Sequence, residues 1–207
     1  NWMVLADLSR YLWEYGNQLP KKTEAQQKGL VAIYTRGVDA ADRSLKVKET
    51  SAGHYWYAVN KASTLEWSSI FSQVAAFPGL YSHYRWVVDH DPDYFFGAAG
   101  RFWVEVLARI PKAVIETLGM KYLDEALAQI DRAIQKEPRY LHNFVYKARF
   151  TWSFYGAEKK DEALKLLDQA LKADPNALPD YVTDNKQAQA EARSLWKQIT
   201  GKDYPQR

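Results

Sequence analysis

The residue types that could perform catalysis occur at spacings that do not support it. Four histidines, His54, His83, His90 and His142, are scattered along the chain, and neither an HxxxH nor an HExxH pattern occurs. Metal-binding helices need such pairs on one face, so no metal site is predicted. Cysteine is absent, which excludes disulfides, thiolate ligands and cysteine nucleophiles. No nucleophile elbow or phosphate-binding glycine loop follows a strand, and the sequence predicts no enzyme and no cofactor.

Aromatic residues are the unusual component, with 8 Trp, 14 Tyr and 8 Phe making up 14% of the chain. Several fall on predicted helices together with isolated polar groups, a pattern typical of an apolar pocket with a few orienting contacts. The predicted ligand- or partner-binding residues are Tyr55, Trp56, Asn60, Tyr94, Phe95, Arg101 and Trp103. The alternative is that the aromatic side chains pack between helices and that Arg101 pairs with Asp91 or Asp93.

The C-terminal half contains one unit that occurs twice, and this unit indicates the kind of fold that positions these residues. Residues 122–138 and 159–175 align at an offset of 37 with seven identities in 17 positions. Each copy has apolar residues every three to four positions, and each ends at a proline, Pro138 or Pro175, which stops a helix. Small residues within each copy allow a neighbouring helix to approach closely. This arrangement is typical of the second helix of a tetratricopeptide (TPR) repeat. We therefore expect four alanines to be buried at helix crossings: Ala126, Ala133, Ala163 and Ala170.

Helical periodicity extends through the rest of the chain, and no strand signal is present. The expected fold is all-α, a TPR-like superhelical array of antiparallel helix pairs with about nine or ten helices in a single domain, 1–207. Regular repeats are expected at about 94–138 and 139–175, with a C-terminal capping helix at about 184–199 that Asp184 begins. Further expectations are a capping box at Thr23 and Gln26, a less regular, partly helical connection at 65–77, and a helix whose first turn contains Pro78. A helix over 94–110 and a connector at 111–119 complete the interpretation, and the two glycines near residue 100 indicate close approach of a helix or a ligand.

Composition limits the class of protein. The 207 residues are 47% hydrophobic and 26% charged, with a net charge of +3 and mixed signs along the chain, which is ordinary for a globular domain. No basic block is present, so nucleic acid is not an expected partner. No stretch is long and apolar enough to span a membrane. The chain begins at Asn1 rather than Met, which leads us to expect that an upstream segment was removed.

Three segments resemble the T-component of TRAP transporters, a TatT-like family of TPR-containing extracytoplasmic proteins. His54–Asn60 reads HYWYAVN and is similar to the family's YWYAAN helix. Residues 91–97 read DPDYFFG with Arg101 following, and resemble the family's LDPDY, glycine-rich segment and Arg. Leu178-Pro179 is followed by an Asn and spaced alanines, as in the family. The chain departs from the family at 97–100, where GAAG replaces Gly-Gly-Pro-His, and at 111–119, which lacks Pro-Gly-Gly-Asp.

The resemblance implies a non-enzymatic, periplasmic accessory protein, anchored as a lipoprotein by a segment absent from this chain. It implies docking to a TRAP-type solute-binding protein, an apolar or amphipathic small ligand, and a homo-oligomer, with a trimer as the expected state. The alternative is a generic cytoplasmic TPR scaffold that binds a peptide or protein. Peptide-clamping TPR grooves use Lys and Asn, whereas this chain offers aromatic side chains, which favours the transport interpretation.

Overall fold

The computed structural model describes residues 1–205, and these form ten α-helices and two short 3₁₀ turns. The expectation of an all-α, helical-repeat fold is confirmed. The helices are α1 (Trp2–Gln18), α2 (Glu24–Val47), α3 (Ser51–Thr64), α4 (Ile70–His90), α5 (Ala98–Ala108), α6 (Lys112–Leu118), α7 (Lys121–Lys136), α8 (His142–Tyr155), α9 (Lys160–Lys172) and α10 (Val182–Thr200). The 3₁₀ turns are Gly156–Lys159 and Pro179–Tyr181.

The chain divides into two compact units. Unit 1 is Asn1–Tyr94 and contains α1 to α4, and unit 2 starts at Phe95 and contains α5 to α10. In unit 1 each helix packs against the next, and in unit 2 the same holds from α6 to α10, while α5 packs against α7 and α8. Short connections make such neighbours antiparallel. The expected single domain, 1–207, includes two residues outside the described part of the chain and stays a prediction.

Unit 2 contains the repeated sequence, in α7 and α9. The four repeat alanines are between 0% and 4% exposed, which confirms that they are buried, and small residues there let the helices approach. Gly100 on α5 shows how close that approach is, since a Cβ on it would lie 2.9 Å from the backbone nitrogen of Ile130 on α7. The close approach that the glycines indicated is therefore the approach of another helix.

Unit 1 is closed by a small polar network where three helices cross. The hydroxyl of Ser9 on α1 donates to the carbonyl of Gly37 on α2 at 2.8 Å. Asn60 on α3 donates from Nδ2 to the carbonyl of Ser9 at 3.0 Å. The Ser9 hydroxyl and the Asn60 amide nitrogen are thus buried and hydrogen-bonded, as most buried polar atoms are, whereas Asn60 Oδ1 is buried with no hydrogen-bond partner among residues 1–205. At the start of α2, the expected capping box of Thr23 and Gln26 is present with both reciprocal hydrogen bonds.

Three expectations about helix boundaries are wrong, and one connector contains a further helix. Helix α4 begins at Ile70 and runs through Pro78, because Ser69 caps it and because Phe77 and Leu80, buried on either side of the proline, offset the hydrogen bond that proline removes. The 94–110 helix begins only at Ala98, since the preceding backbone is left-handed. The 111–119 connector contains a further helix, α6. Asp184 lies within the first turn of α10 rather than at its cap, where its charge suits the helix dipole.

Candidate functional site

The predicted site residues fall in both units, and those of unit 1 form an aromatic cluster. Tyr55 and Trp56 on α3 meet Tyr94, which follows α4, and Trp13 on α1. The indole nitrogen of Trp56 donates to the hydroxyl of Tyr94 at 3.2 Å. Burial raises the pKa of Tyr94 to about 12, so its hydroxyl stays protonated and neutral at physiological pH. Trp56 is buried, whereas Trp13, Tyr55 and Tyr94 are half-buried and are reached by solvent.

Asn60 was predicted as an orienting group in a pocket, and the structure gives it a different position. It is fully buried and ties α3 to α1 through Ser9. Its side chain also lies against the backbone of Gly37, because a Cβ on that glycine would be 2.2 Å from Asn60 Oδ1. Asn60 therefore fixes the crossing of three helices instead of facing a ligand.

Phe95 and Arg101 lie together in unit 2, at a turn with an unusual backbone. Phe95, Phe96 and Gly97 have φ angles of 43°, 55° and 78°, and consecutive left-handed residues with side chains are strained. The Arg101 guanidinium donates to the carbonyl of Phe95 at 2.6 Å and to that of Phe96 at 2.8 Å. It also donates to Asn143 Oδ1 at 2.6 Å. All three acceptors are neutral oxygens. Arg101 therefore bonds backbone and amide oxygens, whereas the alternative interpretation paired it with Asp91 or Asp93.

Trp103 was predicted to line the same pocket. It is completely buried in the core of unit 2 and meets its neighbour Phe102. Its role in the structure is packing, which is what most aromatic residues at helical spacing do.

Sequence reasoning missed a second set of residues, which come from three helices of unit 2. Arg149 on α8 contacts Glu105 on α5 at 3.5 Å and Glu191 on α10 at 2.9 Å. Its guanidinium lies 5.1 Å from the centre of the Tyr146 ring, and Tyr146 meets His142 one turn earlier. We call these five residues, together with Arg101, Tyr140 and Tyr181, the inner face. The sequence signal was polar residues at helical spacing on two largely apolar helices. These are residues 101 and 105 on α5 and residues 142, 146 and 149 on α8.

Aromatic rings border Arg101 on the inner face. Its guanidinium carbon lies 4.8 Å from the centre of the Tyr140 ring and 5.4 Å from that of Phe95. Phe96 stacks on Tyr140 at 4.8 Å, and Tyr181 meets both rings edge-on. Attraction between the guanidinium charge and the electron-rich faces of these rings offsets part of the hydration that Arg101 loses on burial.

Two of the scattered histidines are brought together between α3 and α4. The Nδ1 atoms of His54 and His83 are 2.8 Å apart, so one ring donates and the other must accept as a neutral imidazole. His54 also contacts Glu49 at 3.3 Å and stacks on Trp86. Within residues 1–205, no three His, Cys, Asp or Glu side chains gather in a way that could hold a metal ion.

This histidine pair predicts a loss of stability in acid. Burial, and secondarily the neighbouring His54, lower the pKa of His83 from 6.5 to about 4. The unfolded chain therefore binds a proton near pH 6.5 while the folded chain does not, so stability is present above pH 6.5 and is lost as the pH falls toward 4. Because His83 is partly exposed, we expect the free energy of unfolding to fall by about 1–2 kcal/mol, which is less than the full pKa shift implies.

Urea unfolding of the wild type and of His83→Phe across this pH range measures the effect. The variant lacks the group, so its free energy of unfolding should fall less steeply between neutral pH and pH 4. Equal slopes in the two proteins would show that the histidine pair does not control the pH dependence.

The fold and these surfaces define an all-α helical-repeat protein with aromatic and charged side chains gathered on a few helices. No protein-family model matches the chain, and no curated protein matches it either. None of the helices in residues 1–205 combines the length and the apolar character that crossing a membrane requires.

Proposed function

We propose that the protein is a non-enzymatic, extracytoplasmic accessory protein of a TRAP-type solute transport system that docks a solute-binding protein. The observation that carries the proposal is the role of the residues in the three family-like segments. Asn60 joins three helices, and Arg101 holds the 95–97 turn. Asn185 accepts from the amide of Leu141 at 3.0 Å and donates to the carbonyl of Arg139 at 2.9 Å. Each of these side chains fixes the course of the backbone. The resemblance to the family therefore includes residues with a structural role, which supports the proposal.

A surface on α1 supports a protein partner. Val4, Leu8, Tyr11 and Tyr15 recur at intervals of four, three and four residues, which places them in one stripe of the helix. They are between 42% and 62% exposed. Contiguous apolar surface of this kind marks interaction sites, and tyrosine is enriched at such sites because one side chain offers both apolar area and a hydroxyl.

The proposal includes a small ligand and an oligomer. The half-buried rings of Tyr55 and Tyr94 in unit 1 and the aromatic part of the inner face in unit 2 suit an apolar or amphipathic molecule. A homo-oligomer, expected as a trimer, would present several docking surfaces at once. Native mass spectrometry of the purified protein reports the oligomeric state and a retained ligand in one measurement; a bare monomer would contradict both parts.

Capture experiments test the docking proposal. The tagged protein recovered from cells should bring down a solute-binding protein, and the purified pair should then bind in solution. Replacing two stripe residues, Tyr11→Ser with Tyr15→Ser, should weaken that binding by at least about tenfold, as loss of aromatic interface anchors does. The matched control is Phe71→Ser on α4, an aromatic residue that is 83% exposed and lies outside the stripe.

The control should leave binding unchanged. Recovery of only cytosolic chaperones or peptide tails would contradict the transport proposal and favour the cytoplasmic scaffold. A solute-binding protein that binds the stripe variant and the wild type equally would keep the partner but remove α1 as its docking surface.

A further inference from the structure

Arg101 is a buried cation whose N–H groups are not all used in hydrogen bonds. It is 4% exposed, and its three hydrogen bonds all go to neutral oxygens. A guanidinium has five N–H groups, so two remain, on Nε and Nη2. In the described part of the chain no carboxylate forms an ion pair with it, and a buried charge without a counter-charge is costly.

His142 supplies a second group without a partner. It is 9% exposed, and its Nδ1 atom is buried with no hydrogen-bond partner among residues 1–205. Burial lowers the pKa of His142, and the Glu191 carboxylate opposes that shift. The ring is therefore neutral near pH 7 and carries one N–H that the tautomer can place on Nδ1. Unsatisfied buried polar atoms are rare in native proteins and call for an explanation.

Arg101 and His142 lie against the same ring. The guanidinium carbon of Arg101 is 4.8 Å from the centre of Tyr140, and the imidazole of His142 is 5.7 Å from it. The positive charge of Arg101 also contributes to lowering the pKa of His142. Two unused donors thus border one aromatic surface, which continues through Tyr181.

The acidic side chains of the inner face are already occupied. Glu105 and Glu191 both contact Arg149, at 3.5 Å and 2.9 Å, whereas no carboxylate among residues 1–205 forms an ion pair with Arg101. The single positive charge of Arg101 compensates one negative charge, so the second charge of a dianion would lie uncompensated near these two carboxylates. The inner face therefore favours a single carboxylate over a phosphate.

We propose that Arg101 and His142 form a subsite for the carboxylate of an amphipathic monocarboxylic acid whose apolar body lies on Tyr140, Tyr181 and Phe95. The subsite rests on the proposed function, since it assigns a chemical class to the small ligand. A guanidinium matches the geometry of a carboxylate, and the imidazole N–H gives the second oxygen a donor. Aromatic rings beside the charge would then accommodate the apolar body.

Calorimetry with a matched pair of probes tests the subsite. We expect 4-phenylbutyrate to bind at least about tenfold more tightly than its neutral analogue 4-phenylbutyramide, the value of one charge-assisted hydrogen bond. His142→Leu places an apolar side chain in the buried position, and it should remove most of the preference for the acid over the amide. Arg101→Lys keeps the charge but loses the planar fork, and should weaken the acid more than the amide.

Equal affinity for the acid and the amide would overturn the subsite, as would failure of the acid to saturate at millimolar concentration. Unchanged acid binding by His142→Leu would also overturn it, and this variant and the probe pair decide the matter even if Arg101→Lys does not fold. The measurement uses the purified protein without any solute-binding protein. Failure to dock a partner therefore leaves this result intact, and failure of acid binding leaves docking intact.

Discussion

Gly100→Val should destabilise the protein by about 3 kcal/mol, the upper part of the range for overpacked interiors. A Cβ at residue 100 would lie 2.9 Å from the nitrogen of Ile130 and 3.0 Å from the carbonyl carbon of Gln129. Both atoms belong to the backbone of α7, which cannot rotate away as a side chain could. Helices α5 and α7 must therefore separate, and the alanines buried at the same crossing lose contacts with them.

Thermal and urea unfolding of this variant measure the effect, which corresponds to about 10 °C in Tm for a protein of this size. Gly29→Val on α2 is the matched control, since Gly29 is exposed and a Cβ there would meet nothing within 4 Å. The control should change stability by less than about 0.5 kcal/mol. Equal Tm values for the two variants would contradict the close crossing of α5 and α7.

Arg101→Met should cost about 2–3 kcal/mol even though it removes a buried charge. Methionine fills similar space, but the carbonyl of Phe95 and the amide oxygen of Asn143 lose their charged donor. A buried acceptor left without a donor costs about 1–3 kcal/mol. The carbonyl of Phe96 keeps a weaker partner, the Asn143 amide at 3.2 Å. Relief from burying the guanidinium offsets part of the loss, which keeps the expected value below the sum.

The structural part of this prediction concerns the left-handed turn at 95–97. Without Arg101, hydrogen exchange of the amides in this turn should accelerate more than exchange in α7, because the strained backbone is no longer held. Arg109→Met is the control, since Arg109 is exposed and pairs with Glu105 at 3.4 Å. Such pairs contribute less than about 1 kcal/mol. A wild-type exchange rate in Arg101→Met would show that the guanidinium does not hold the turn.

Local pattern was enough to predict the helices and the repeat. The periodicity of 122–138 and 159–175 placed α7 and α9 and the burial of their alanines, because a helix face is defined within a few turns of chain. Thr23 and Gln26 predicted the start of α2 for the same reason. The proline rule did not hold at Pro78, where burial of Phe77 and Leu80 outweighed a lost hydrogen bond.

Among the predicted site residues, Arg101 and Phe95 lie together in the structure, but the sequence did not predict what surrounds them. Asn60 and Trp103 looked like pocket groups because they are polar or aromatic on apolar helices, and both lie inside the packing. Type and spacing reveal which residues are unusual on a helix. They do not reveal whether a neighbouring helix or solvent covers that position.

The placement of α7 and α9, the all-α class and the absence of cysteine chemistry are thus properties that the sequence alone determined. Tertiary structure decided the left-handed turn at 95–97, the pairing of His54 with His83, and the inner face. The inner face unites Glu105, Arg149 and Glu191, residues more than 40 positions apart. The physical reason is that each of these features depends on helices meeting in space, and the free energy of those contacts comes from residues distant in the chain.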